Sequence, residues 1–394
     1  MRLGLIFLVL GYVLSQFYRA FLAVLAPVLQ QDIGADPQAL SVASGLWFLA
    51  FAAMQIPVGW ALDVVGPRRT AAFLLATGAA GGALVFAMAQ GPGQIYLAMV
   101  LIGIGCSPVL MASYYIFARV FPPAVFGTLA GAIIGFGSLG NLAGSLPLAW
   151  AAESFGWRGT LWGLAAITLA VAAALAAFIQ DPPKAEQGEN GRGSLLDILK
   201  IPAIWLILPM MLVNYAPAAG LRGAWAGPYL SDVYGLDATG IGQVTLVMGV
   251  AMIIGNFAYG PLDRVFGTRK WVVLFGNLAG AACLLLLWAA PEAGVWRSGL
   301  LLAGVGLFGS SFPLIMAHAR DFFPPHLVGR GVTLLNLFGI GGVGVAQFFS
   351  GRVFAAFEAT APDPASAYGE LFLIFGLAVL AGCAAYLFSR ERAG

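Results

Sequence analysis

Apolar runs of about 20 residues alternate with short polar breaks along the whole chain. A helix rises about 1.5 Å per residue, so roughly 20 apolar residues cross the hydrocarbon core of a bilayer. Runs of that kind occupy 3–29, 41–62, 70–90, 95–118, 126–151, 160–179, 201–230, 239–262, 271–290, 298–319, 329–355 and 368–388. The first begins like a signal peptide, with Arg2 ahead of an apolar stretch. It has a counterpart in the second half and is read as a spanning helix. The longest polar stretch starts at Asp181 and reads as a flexible linker. The pattern predicts an all-α membrane protein of twelve transmembrane helices, with a six-helix half over 1–180, a linker over 181–200 and a second half over 201–394.

The halves repeat one another. Gly59, Asp63, Gly66, Arg68 and Arg69 form a tight basic turn between helices 2 and 3. Gly260, Asp263, Arg264, Gly267, Arg269 and Lys270 form its relative between helices 8 and 9. Phe121, Pro122 and Pro123 are echoed by Phe323, Pro324 and Pro325, and Gly127 by Gly329. Helix 1 ends near Pro27 and Asp32, helix 7 near Pro228 and Asp232. These are parallel repeats, an arrangement in which substrate binds near the midplane between two pseudo-symmetric halves that rock around it.

Composition excludes a soluble globule. Hydrophobic residues make up 60% of the chain and charged residues 9%, against about 25% charged in a soluble domain. Mean hydropathy is +0.91. The 53 glycines suit helices that pack closely in lipid. Cys106, Cys283 and Cys383 lie inside apolar runs and read as small core residues. With the N-terminus placed in the cytoplasm, 14 Lys and Arg face inward, while Arg158, Arg297 and Arg352 face outward. That bias predicts both termini inside, in a bacterial inner membrane. Trp157, Trp162, Trp288 and Trp296 fall at outer helix ends, as an interfacial belt would.

The basic turn resembles the signature loop of the major facilitator superfamily, Gly-x-x-x-Asp-(Arg/Lys)-x-Gly-x-(Arg/Lys)-(Arg/Lys). Gly59, Asp63, Gly66, Arg68 and Arg69 match it, and Val64 replaces a basic residue. The second copy has one extra residue before Gly267. The resemblance covers the whole chain and implies a transporter with the major facilitator fold, not an enzyme. It also implies a cytoplasmic latch that holds the halves together when the site faces out. Asp63 with Arg68 and Arg119 would form one latch, Asp263 with Arg269 and Arg320 the other, with Arg69 and Lys270 beside them. The competing reading makes these charges topology signals only.

Two arginines remain inside the membrane. Arg19 is near the middle of helix 1 and Arg222 is well inside helix 7. Tyr12 and Tyr215 each stand seven residues before their arginine, about two turns, so each pair is expected on one helix face. Ser15 and Gln16 add polarity to helix 1. An arginine at mid-membrane costs from about 2.5 to beyond 10 kcal/mol, and no Asp or Glu lies deep in any helix. The candidate partners are water, polar side chains and a bound anion, and guanidinium suits carboxylate or phosphate by bidentate pairing. The competing reading has both side chains snorkel outward. Arginines on helices 1 and 7, with Tyr18, Arg19 and Pro27, also resemble the organophosphate and organic-anion branch. Gln55, Tyr114, Tyr115, Asn141, Asn214, Asn256 and Asn336 could line the cavity or serve as helix–helix hydrogen bonds. The glycine runs 135–141 and 339–344 read as close-packing surfaces.

Nothing in the sequence predicts a cofactor, a metal cluster, a nucleotide loop or a nucleic-acid partner. The helix-4 arginine of many proton-coupled members is absent near Met99, and His318 reads as a gate or interface residue. The expected partners are a small anion and the lipid bilayer, with the chain working as a monomer. The alternative class is an exporter of hydrophobic or cationic compounds in which the arginines are structural.

Overall fold

Backbone in lipid must satisfy its own N–H and C=O groups, so apolar runs fold as helices. The computed structural model describes residues 2–121, 129, 132–182, 198–323 and 328–391, and every regular element among them is helical. Span 1 is the bent pair Gly4–Phe17 and Leu22–Ile33. Spans 2 to 4 are Pro37–Leu62, Pro67–Ala87 and Pro92–Phe117. Span 5 includes Ala132–Ala143 and continues into the helix Leu146–Phe178. Gly156, at φ +72° and ψ 154°, turns that helix and so ends span 5 and opens span 6. Spans 7 to 12 are Pro202–Tyr234, Ala238–Tyr259, Arg269–Ala289, Val295–Arg320, Leu334–Glu358 and Pro364–Leu387. The twelve-helix fold expected from the sequence is what the structure holds. Contacts divide it into two compact units, Met1–Glu186 with Asp237–Leu246, and Gln187–Leu236 with Val247–Gly394. The expected linker lies largely outside the described residues, as do Pro122, Pro123, Gly127, Pro324 and Pro325.

The repeat is visible at the helix ends. Gly34 and Gly235, 201 positions apart, close the first and seventh spans with the same left-handed geometry, φ 66° and ψ 26°. Only glycine adopts that conformation without a Cβ clash. Just beyond, Asp36 accepts from the Ala39 N–H at 2.7 Å and Asp237 from the Gly240 N–H at 2.8 Å, capping spans 2 and 8.

Packing follows the glycines. A methyl group on Gly140 would fall 1.9 Å from the Val13 carbonyl oxygen, and one on Gly342 would fall 2.0 Å from that of Leu212. Span 5 therefore meets span 1, and span 11 meets span 7, backbone to backbone. Both glycine runs act as the packing surfaces expected of them.

Each unit ties its first span to its last. Asp32, at the end of span 1, accepts from Trp157 Nε1 at 3.0 Å and pairs with Arg158, both at the start of span 6. Asp232, at the end of span 7, accepts from the Tyr368 hydroxyl of span 12 at 2.5 Å.

Several spans depart from the regular helices expected, spans 1 and 7 among them. Span 1 bends by 51° between Phe17 and Leu22, so 3–29 is not one straight rod. Span 7 widens into a π-helical turn over Leu221–Trp225. Arg19 lies in the first irregularity and Arg222 in the second.

Candidate substrate site

In the first unit, large aromatic side chains fix the break. Tyr18 and Phe21 are fully buried, and the Tyr18 hydroxyl shares a hydrogen bond with Thr168 Oγ1 of span 6 at 2.9 Å. Phe21 packs against Phe86 of span 3, with ring centroids 5.3 Å apart. Arg19 sits between these two anchors and extends toward span 2. Its Cζ stands 5.2 Å from the Trp47 ring and 4.9 Å from the Phe51 ring, and those rings stack on each other at 5.1 Å. Among the described residues the guanidinium makes no hydrogen bond and no ion pair, and Nε is buried and unpaired. Trp47 Nε1, also buried, has no partner either.

The energies do not balance on protein contacts alone. Two aromatic faces contribute about 0.5–2 kcal/mol each, which reaches only the low end of the cost of an arginine at mid-membrane, about 2.5 kcal/mol to beyond 10.

Tyr12 and Gln16 join each other one turn before the break, where Gln16 Nε2 donates to the Tyr12 hydroxyl at 2.9 Å. The Tyr12 ring fills the space above Gly137 of span 5. The helix that carries Tyr12 ends at Phe17, so the two-turn spacing expected between Tyr12 and Arg19 runs into the break. Gln55 is buried and donates to the Phe51 carbonyl of its own helix at 3.1 Å. Tyr114 and Tyr115 are half-buried on span 4.

In the second unit Arg222 is 3% exposed. Its guanidinium lies across Gly249 of span 8, so that a methyl group there would fall 3.0 Å from Nη2 and 3.4 Å from Cζ. A side chain held flat against mid-span backbone does not snorkel. The π-turn around it is strapped by Gln347 of span 11, which the sequence reading did not single out. Gln347 Nε2 donates to the Gly220 carbonyl at 2.8 Å, and its Oε1 accepts from Trp225 Nε1 at 3.0 Å. Ser350 Oγ accepts from the same indole at 3.0 Å. A polar residue in the glycine-rich span 11 was the available signal.

Tyr215 is half-buried and packs near Phe312, with ring centroids 6.1 Å apart. Asn214 is buried in a polar cluster, donating to Asn277 Oδ1 at 2.6 Å and to Ser311 Oγ at 2.9 Å. Its amide nitrogen therefore joins spans 7, 9 and 10. Asn256 is exposed on span 8 and Asn336 is half-buried on span 11.

Of the expected latch residues, the side chains of Asp63 and Asp263 lie outside the described residues. Arg68 engages the end of span 6. Its Nε donates to the Ala176 carbonyl at 2.5 Å, and its backbone N–H donates to Asp181 at 2.8 Å. Carbonyls in the last turn of a helix need outside donors, and the end of span 6 takes this one. The second unit repeats the arrangement with Glu391, which accepts from the Thr268 hydroxyl and from the Lys270 N–H, each at 2.8 Å. Arg269 pairs with Asp321. Arg119 stacks on Tyr115 at 3.9 Å. Lys270 stands over Trp271 at 5.3 Å, and Arg69 and Arg320 are exposed.

His318 is fully buried, with Nδ1 2.5 Å from the Tyr386 hydroxyl and Nε2 3.0 Å from the Arg390 carbonyl. Both ring nitrogens serve to dock the end of span 12.

The model of the Major Facilitator Superfamily matches residues 8–221 and 208–394. The chain belongs to that superfamily. It is a multi-pass membrane transporter and not an enzyme. Among its superfamily relatives, an Agrobacterium vitis protein named as a tartrate transporter is 24% identical over 84% of this chain and 79% of its own length. A Cupriavidus necator protein named as a sulfoacetate transporter is 26% identical over 72% of this chain and 70% of its own length. The crystal structure of a bacterial homologue of the human lysosomal transporter Spinster, inward-facing and occupied, has a TM-score of 0.77. It shares 18% identity and covers 98% of this chain and 96% of that one, a likeness of fold.

Proposed function

We propose that this transporter carries a small organic anion across a bacterial inner membrane by alternating access, with both termini in the cytoplasm. In this reading Arg19 holds the anionic group in the first unit, and Arg222 is the corresponding buried cation of the second. The carrying observation is the Arg19 guanidinium, which lies mid-span on two aromatic rings with no anionic or hydrogen-bonding partner among the described residues. A carboxylate or sulfonate would supply the missing charge-assisted hydrogen bonds, and Trp47 Nε1 adds a second unused donor. The names of the relatives support the class, since tartrate and sulfoacetate are organic anions. Tyr12 and Gln16, joined one turn before the break, would orient the rest of the substrate.

The test is uptake into liposomes and thermal stabilisation of the purified protein by tartrate and sulfoacetate. Wild type should be stabilised by at least one of these anions and not by cationic drugs. Arg19→Gln should abolish uptake while the protein remains folded. Arg19→Lys should retain weak uptake, because an ammonium keeps the charge but loses the bidentate fork. Full uptake by Arg19→Gln, or stabilisation by cations alone, would end the anion reading and favour the export of cationic compounds.

A further inference from the structure

The two units carry the same groove in the same place. In the first, span 2 contributes positions 54, 57, 58, 61 and 65 to a cavity of about 770 Å³. In the second, span 8 contributes positions 255, 258, 259, 262 and 266 to a cavity of about 520 Å³. Each pair of positions is 201 residues apart, the spacing of the repeat. The next span supplies the opposite wall in both, through Thr70 and Leu74 in one unit and Trp271 and Phe275 in the other. Both volumes fall within the range of ligand sites, about 300–1,000 Å³.

The walls are apolar, and they open outward at the end of the spans nearest the basic turn. Trp60 and Phe73 are 65% and 66% exposed beside the first groove, and Phe275 is 63% exposed in the second. Each mouth carries a cation. Arg69 lines the first groove, is exposed, and makes no hydrogen bond or ion pair among the described residues. The Lys270 amino group stands over the Trp271 ring that lines the second groove.

We infer that each groove binds one anionic phospholipid from the leaflet on the basic-turn side, with an acyl chain along the apolar wall and the phosphate on Arg69 or Lys270. An apolar slot within the hydrocarbon layer accepts a chain and excludes water. A cation at the level where that slot meets the headgroups selects for negative charge. Arginine adds bidentate geometry to a phosphate, and lysine a point charge. The first groove is wider and carries the guanidinium, so it is the tighter of the two.

Native mass spectrometry of the purified chain tests this, using phosphatidylglycerol and phosphatidylcholine with identical acyl chains. Wild type should retain two phosphatidylglycerol molecules and prefer them at least tenfold over phosphatidylcholine. Arg69→Gln and Lys270→Gln should each lose one, and the double variant both. Ala173→Phe fills the first groove from span 6 without touching a charge, and it should also lose one lipid. The spectra themselves report whether each variant is folded. Equal retention of the two lipids, or an unchanged phosphatidylglycerol count in the double variant, would overturn the inference. Retention of two phosphatidylglycerol molecules by folded Ala173→Phe would do so too, by reducing the interaction to headgroup attraction at the surface.

Discussion

At the scale of single residues, Gly249 and His318 each make a statement that can be checked. A methyl group at Gly249 would press on the Arg222 guanidinium at 3.0 Å, so Gly249→Ala should force that side chain from its rotamer. Off-rotamer placement costs about 0.5–1.5 kcal/mol, which corresponds to up to about tenfold weaker substrate binding. The expected result is a raised KM with nearly normal protein yield, and an unchanged KM would separate Arg222 from the substrate. His318 is expected to behave as a strut, since both ring nitrogens are engaged. His318→Gln should lower stability by about 1–3 kcal/mol through a lost buried hydrogen bond. Its uptake under an imposed pH gradient should match wild type. Both intramembrane arginines were legible in the sequence because isolated charges in apolar runs have few explanations. Their surroundings were not. Trp47 and Gln347 look like ordinary helix residues until the fold brings them to Arg19 and the π-turn.

At the scale of elements, the number of spans and their ends follow from hydropathy, Gly34, Gly235 and the capping aspartates. The irregularities do not. Residues 18–21 contain neither glycine nor proline, and the 51° bend is made by packing Tyr18 on span 6 and Phe21 on span 3. Tertiary anchoring overrides local propensity there, and the two-turn spacing expected between Tyr12 and Arg19 runs into that bend. The capping of spans 3 and 9 by Asp181 and Glu391 was also hidden, because those acids lie more than 100 positions from the helices they cap. Glu391 carries a pH prediction. Partial burial alone would raise its carboxyl, but the Lys270 N–H, the Thr268 hydroxyl and the Arg269 N–H outweigh that, with His318 adding to the pull. They hold it below the usual carboxylate range. A folded value below the unfolded one stabilises above the ordinary carboxylate pKa, about 4.3, and the stabilisation is lost as pH falls through the folded value. The side chain is exposed, so its worth sits at the low end of capping energies, about 0.5 kcal/mol. The thermal midpoint of Glu391→Gln should trail wild type at pH 7, and the gap should close below about pH 4.

At the scale of the whole molecule, the membrane potential constrains the proposed traffic. A monoanion entering a cell works against about 2.3 kcal/mol per 100 mV. Neither His318 nor a carboxylate deep in a described span is free to carry a compensating proton. Anion exchange or export down the potential is therefore expected. Liposomes loaded with a counter-anion should show uptake, and empty liposomes with only a pH gradient should not accumulate substrate. Strong accumulation driven by the gradient alone would reverse that assignment. The staples at Asp32 and Asp232 bear on a different property. Each joins the first span of its unit to the last, so neither six-helix body has a loose end from which helices can peel one at a time. Pulled from its termini out of a bilayer, such a chain should resist until a staple parts and then release several helices at once. Asp32→Asn and Asp232→Asn would turn those two large steps into a series of small ones.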